Sequence, residues 1–285
     1  MFFEKLLLEH SPDELFYLTE DKEYYAYWPK SYKGDRYTLQ SRNAFIGDYT
    51  ENFVQDLLST YARSIGCYAV RKVRCKEIGL SKDSPADVAL CVENNQEQKP
   101  ENIKLIIEVK MSLVWNWQLV RSKSERIRYV GDYTTHIGNP GFLRSDTMLK
   151  AIGKSINIRI SSKNASNIPI IIIGNTPITE SYKSKVDNLR EYGVVQGFWS
   201  INPSPLDNDG ENIKMTDKKG FVRMDNYDEL IANLNNLLNE DREYFSGMKS
   251  KRELGRLIEK ANMEIDIERK AEKFLKLLRE NNESL

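Results

Sequence analysis

The sequence predicts an α/β fold: a single domain with a central mixed β-sheet flanked by helices, plus a helical C-terminal region. Three observations predict it. An apolar face with helical spacing runs from Asp48 towards Gly66, and three β-like runs follow it in close succession. Helix and strand patterns then alternate, as expected where helices cover a sheet.

The first 45 residues are rich in Tyr and charge without a sustained period. They read as a short helix followed by irregular structure packed on the main body. From Asp48, Phe53, Val54, Leu57, Leu58 and Tyr61 recur at three and four residues, and Gly66 is a natural C-cap. Residues 67–73 alternate as a half-buried strand does. A Gly-Leu-Ser-Lys-Asp-Ser-Pro turn cluster precedes a second strand over 87–92. Polar residues 93–102 read as a hairpin loop, and 103–109 as a buried third strand. Residues 111–144 are mixed and rich in Trp, Arg and Gly, with no convincing period.

A helix is predicted over 146–158, with Met148, Leu149, Ile152 and Ile156 on one side. The β-branched run 169–173 reads as a central strand with Pro169 at its start. A helix over 179–192 stops at Gly193, a strand covers 194–201, and 202–219 form a loop dense in Pro, Asn, Asp and Gly. Within 251–279 an interrupted apolar stripe predicts helix, read as packing within the chain with a dimer contact as the alternative. The expected division is an N-terminal extension over 1–45, a core over 46–220 and a helical region over 221–285.

At 285 residues and 33.1 kDa the chain can bury a sizeable core. Its charged fraction of 29% and mean hydropathy of −0.57 fit a folded, soluble protein. No stretch approaches the roughly 20 apolar residues needed to span a bilayer, so no membrane partner is expected. The start, Met-Phe-Phe-Glu-Lys-Leu-Leu-Leu-Glu-His, carries acids within a short apolar run and does not read as a secretory signal. Three cysteines without a Cys-x-x-Cys pair argue against a disulfide framework and a structural zinc site. A reducing cytoplasm is the expected setting. Two histidines, His10 and His136, leave little material for His-rich metal sites, and His136 reads as a loop residue with a structural hydrogen bond.

Net charge is zero, yet residues 104–185 carry 13 basic against 5 acidic side chains. A neutral chain with a basic middle points to a local anionic partner, or to a solvated Lys-rich face.

Asp87 opens an otherwise apolar strand, and Glu108 and Lys110 close another. Side chains two apart on a strand share a face, so Glu108 and Lys110 point together and Val109 points away. If the two strands form a hairpin, Asp87 approaches Glu108. Two adjacent carboxylates suit a hard divalent cation that keeps several waters. An ammonium beside them can orient an attacking water and stabilise charge on a phosphate. That is metal-assisted phosphodiester hydrolysis. The bland alternatives are a strand-end Glu108–Lys110 ion pair and an Asp87 that completes the Ser84-Pro85 turn.

Here the sequence resembles the PD-(D/E)XK nuclease superfamily, and within it the type II restriction endonucleases. The matching residues are Pro85-Ala86-Asp87 followed by Glu108-Val109-Lys110, with Ala86 separating the proline from the aspartate. The resemblance implies a restriction-endonuclease-like domain, with Asp87, Glu108 and Lys110 catalytic. It also implies Mg2+, or Mn2+ as a substitute, held by Asp87, Glu108 and the Val109 backbone carbonyl. The family often adds a glutamate on the preceding helix, and Glu51 fits that place. The alternative for Glu51 is a capping box with Asp48 as N-cap.

The implied activity is sequence-specific cleavage of double-stranded DNA by a homodimer, with no nucleotide cofactor. The alternatives are a repair, junction-resolving or transposition nuclease of the same superfamily, or a non-catalytic DNA-binding protein with a nuclease-like fold. Candidate DNA contacts are Trp117, Arg121, Lys123, Arg126, Arg128, Arg144, Lys150 and Lys154, where basic groups interleave with aromatic and hydroxyl side chains. The competing reading makes the tryptophans core and the basic residues solvent-facing.

Overall fold

The computed structural model describes residues 2–120, 126–201, 212–239 and 251–283. In chain order its elements begin with helices α1 (Phe2–Leu6) and α2 (Pro12–Leu15) and the two-residue strands β1 (Tyr17–Leu18) and β2 (Tyr24–Tyr25). Helix α3 (Gln40–Ser64) leads to strands β3 (Tyr68–Val73), β4 (Ala86–Cys91) and β5 (Ile103–Val109). Strands β6 (Asn116–Leu119) and β7 (Ile127–Gly131) precede helix α4 (Ser145–Ser161) and strand β8 (Ile170–Gly174). Helix α5 (Lys183–Glu191), strands β9 (Gly197–Ile201) and β10 (Phe221–Met224), and helices α6 (Tyr227–Asn239), α7 (Lys251–Ala261) and α8 (Ile267–Glu283) complete the order.

Six strands form the main sheet in the order β10-β9-β8-β5-β4-β3. The β3-β4-β5 meander is antiparallel, and β5, β8, β9 and β10 run parallel. The sheet is therefore mixed, as the sequence predicts. Strand β8, Ile-Ile-Ile-Ile-Gly, is buried along its whole length. That continuous apolar run follows from helices on both faces, because each alternate side chain meets a packed layer.

On one face Ala89, Cys91, Ile106, Ile170 and Ile172 pack against Met148, Ala151 and Ile158 of α4 and Val186 of α5. On the other, Val88, Leu90, Leu105, Ile107 and Ile171 pack against Val54, Leu58 and Tyr61 of α3 and Leu230 and Leu234 of α6. The expected C-caps hold. Gly66 (φ 71°) and Gly193 (φ 71°) turn left-handed just past α3 and α5, a conformation that favours a residue without Cβ.

A second, antiparallel sheet has the order β1-β2-β6-β7. It shares a satellite core of Phe3, Leu15, Phe16, Tyr24 and Ile46, with Leu113, Trp117 and Leu119 against it. The N-terminal residues thus form strands with the segment read as featureless, rather than an irregular extension alone. Helix α3 starts eight residues before the expected Asp48, and its 25 residues span roughly 37 Å. Its first turns, through buried Arg42 and Ile46, serve the small sheet, and its later turns the large one. Arg42 Nη2 donates to Tyr17 Oη (2.9 Å), and Arg42 Nη1 donates to the Ala26 carbonyl.

The expected boundary at 220/221 cuts the main sheet. Phe221–Met224 is its edge strand, and α6 covers it, so the core continues to Asn239. The 251–279 stripe divides into α7 and α8, with Leu257, Ala261 and Leu278 buried. The three cysteines are free and buried; burial pushes the Cys91 thiol up to about 12. Among the described residues no helix is long and apolar enough to cross a membrane.

Candidate active site

Strands β4 and β5 pair antiparallel with Val88 opposite Ile107. One step further along both strands lie Asp87 and Glu108, so their side chains share a face. It is the α4 face, because Asp87 alternates with Ala89 and Glu108 with Ile106, both packed under that helix. The Val109 N–H donates to Asp87 Oδ2 (2.7 Å), so a carboxylate satisfies a strand-end backbone donor and is held in place by it.

Lys110 Nζ lies 2.5 Å from Glu108 Oε1, 3.7 Å from Asp87 Oδ2 and 3.2 Å from the Val109 carbonyl oxygen. From α4, Lys154 Nζ reaches Asp87 Oδ1 at 3.0 Å and Glu108 Oε2 at 2.5 Å. Two carboxylates and two ammoniums thus interlock at the carboxyl end of β5. In open α/β sheets that end of the strands is where ligands bind.

Glu108 is only 5% exposed. Burial raises its pKa, and the Asp87 charge adds to the rise, against the opposing pull of Lys110 and Lys154. For Lys154, burial alone would favour the neutral amine, but the Glu108 and Asp87 carboxylates outweigh it and raise its pKa. Glu108 Oε2 touches the Lys154 ammonium without an aligned hydrogen bond. A buried carboxylate oxygen that already faces a cation is a suitable ligand for a metal ion.

Among the described residues no three His, Cys, Asp or Glu side chains come together as a ligand set. The two carboxylates and the Val109 carbonyl fit a hard cation nonetheless, because Mg2+ is commonly held by one or two carboxylates and retains waters.

Glu51 does not join this cluster. It lies on α3, across the sheet, where Arg71 Nη2 contacts both Glu51 Oε2 (3.0 Å) and Asp48 Oδ1 (2.6 Å). The capping-box alternative is corrected as well: Asp48 and Glu51 lie within α3, not at its start, so neither meets free helix N–H groups.

The predicted DNA contacts are dispersed. Arg121 and Lys123 lie outside the described residues. Arg126 and Arg128 are exposed on and beside β7, with Arg128 Nη2 donating to Gln118 Oε1. Trp117 is partly buried against the satellite core and meets Tyr129 edge-on (5.8 Å between centroids). Arg144 is engaged by Asp146 through two bonds of 2.7 and 2.8 Å, and Lys150 approaches the same carboxylate at 3.8 Å. Lys154 belongs to the carboxylate cluster.

Sequence reasoning missed Asn175, whose Oδ1 accepts from Ser112 N (3.0 Å) and whose Nδ2 donates to the Ser112 carbonyl (2.8 Å). This clamp fixes the chain just after Lys110 from the end of β8. A polar Asn-Thr following an all-apolar central strand was its signal. His136 plays the expected structural part: it stacks on Tyr27 (4.0 Å, 5°), its Nε2 lies 3.2 Å from the Val114 carbonyl, and burial lowers its pKa.

Compared with known proteins, the chain matches no family model, no curated protein and no solved structure.

Proposed function

We propose that this protein is a Mg2+-dependent endonuclease that hydrolyses phosphodiester bonds in double-stranded DNA, with sequence-specific, restriction-type cleavage as its role. One observation carries the reading: Asp87 and Glu108 meet on one face of a strand pair, with Lys110 beside them. Asp87, Glu108 and the Val109 carbonyl would hold the ion. Bound Mg2+, or Mn2+ in its place, supplies Lewis-acid polarisation of the phosphate and a more acidic water.

The chain's own groups do the rest. The Val109 N–H fixes the Asp87 carboxylate, and the apolar layer of Ile106 and Ile172 beneath keeps the carboxylates in a low-dielectric setting. Lys110, anchored by Glu108, presents positive charge where negative charge grows on the phosphate and can donate to the attacking water.

The surplus of basic residues over 104–185 supports an anionic partner, with Arg126 and Arg128 as exposed contacts. Affinity for duplex DNA should fall steeply with salt through counterion release. Replacing Arg126 or Arg128 should weaken binding more than replacing Lys270 or Lys273 of α8, whose neighbours balance their charge. One site per chain and two strands to cut favour a homodimer on a two-fold symmetric site. Light scattering that shows a monomer both free and on DNA would refute the dimer.

The direct test is incubation with long unmethylated phage DNA, with and without Mg2+. Discrete bands that require Mg2+ are expected. A smear, or cutting of branched DNA alone, would move the assignment to a repair or junction-resolving nuclease. Binding without any cleavage would leave a non-catalytic DNA-binding protein.

A further inference from the structure

We propose that Lys154 is a tethered counter-cation that occupies the position between Asp87 and Glu108 where a divalent ion binds, and that it sets the metal affinity of the site by competing with that ion. This rests on the metal-site reading above and goes beyond it, because it assigns α4 a part in gating the metal rather than in holding DNA.

The geometry points to competition. One ammonium touches an oxygen of each carboxylate, Asp87 Oδ1 at 3.0 Å and Glu108 Oε2 at 2.5 Å. A divalent ion held by Asp87 and Glu108 would meet this ammonium at the carboxylates and compete with it. Lys154 is largely buried, at 18% side-chain exposure, whereas Lys150 one turn earlier is 77% exposed. It is therefore placed by the packing of α4, through Met148, Ala151 and Ile158, onto the sheet.

Lys110 bridges the carboxylates less closely. It contacts the other oxygens, Glu108 Oε1 and Asp87 Oδ2, the second at only 3.7 Å. Asp87 Oδ2 is further committed to the Val109 N–H. Without an ion, two adjacent carboxylates, one of them buried, would repel each other and stay poorly solvated. Lys154 removes that penalty, so an arriving ion has to displace an ion pair already in place. Its net affinity is the difference between the two.

The test is Mn2+ binding to the full chain, followed by calorimetry and by the loss of free Mn2+ signal in electron paramagnetic resonance, without DNA. Lys154→Met should bind Mn2+ at least about tenfold tighter than the natural protein, since a fixed positive charge a few ångströms away is removed. Without metal its melting temperature should drop, and Mn2+ should raise that temperature by more than in the natural protein. Lys154→Gln, which can still donate to the carboxylates, should fall between. Lys104→Met removes an exposed charge elsewhere on β5 and should leave Mn2+ affinity unchanged.

Equal or weaker Mn2+ affinity in both Lys154 variants would overturn the competition while leaving the metal site standing. A Lys104→Met gain as large as that of Lys154→Met would overturn it too, by making the effect one of net charge. No Mn2+ binding by the natural protein or any variant would instead overturn the metal-site reading.

Discussion

Two clusters of carboxylates and cations sit on opposite faces of the main sheet, and they differ in one physical respect. At the Asp87–Glu108 cluster the acids are enclosed, and burial raises the pKa of Glu108. At the Asp48–Glu51–Arg71 cluster, Asp48 is 55% exposed, and hydrogen bonding from Arg71 lowers its pKa despite a desolvation cost. The residue types are nearly the same. The first cluster encloses two acids whose repulsion is offset by two ammoniums, Lys110 and Lys154; the second distributes two acids around the Arg71 guanidinium at the surface, with Lys72 beside Asp48. Enclosed acids with shifted pKa values are what the proposed metal site needs, whereas an exposed cluster fastens a helix to a strand.

The sharpest way to break this contrast is to remove a charge from each cluster. Glu108→Gln keeps the side chain's size but withdraws one of the two proposed metal carboxylates. Cleavage should fall by about 10²–10⁴-fold, with DNA binding retained in gel-shift assays. Near wild-type cleavage in Mg2+ would sink the assignment. Asp87→Ala should be at least as damaging, because it also frees the Val109 N–H.

Lys110→Ala comes next, with a loss of about 10²-fold or more in cleavage. The activity of this variant should not return at higher Mg2+, since Lys110 is assigned to the phosphate and the water rather than to the ion. Rescue by Mg2+ would show that Lys110 acts on the metal instead.

Glu51→Gln tests the other face, and the expected change is far smaller. Cleavage should be unchanged, and chemical denaturation should show a loss of about 0.2–1 kcal/mol, the range for a partly exposed ion pair. A large loss of cleavage with little change in stability would bring Glu51 back as a catalytic group.

The smallest effect is a pH dependence. The folded-state pKa of Asp48 lies below its ordinary 3.8, so its stabilising contribution is present above that value and is lost as pH falls through the lowered one. The melting-temperature difference between the natural protein and Asp48→Asn should therefore be constant near neutrality and vanish in acid. A difference that persists in acid would show that Asp48 acts through packing rather than charge.

How much of this was legible beforehand depends on the range of the contacts involved. Asp87 and Glu108 could be read because two local rules suffice: strand alternation fixes the face, and a hairpin fixes the partner. Lys154 could be seen only as a basic residue on a helix. Its position is set by α4 packing back on the sheet, 67 residues from Asp87 in the chain. The place of Glu51 beside Arg71 is hidden from the sequence for a related reason. The first turns of α3 carry a weak apolar signal, Phe45 and Ile46 beside Gly47, whose burial partners are strands at the N-terminus. Strand β6, of four residues, pairs with the two-residue N-terminal strand β2 on one side and with β7, of five residues, on the other, and no periodicity can reveal such short elements.

The sequence by itself determined the α/β class, the three-strand meander, the glycine stops after α3 and α5, and the sharing of one face by Glu108 and Lys110. All of these follow from periods of two and 3.6 residues and from the backbone freedom of glycine, which are properties of neighbours in the chain. Only the tertiary structure decided which face of the sheet each helix covers. That choice buries Glu108, brings Lys154 to the two carboxylates and leaves Glu51 with Arg71 on the far side, because each helix turns its apolar stripe onto the sheet and carries its charged residues with it.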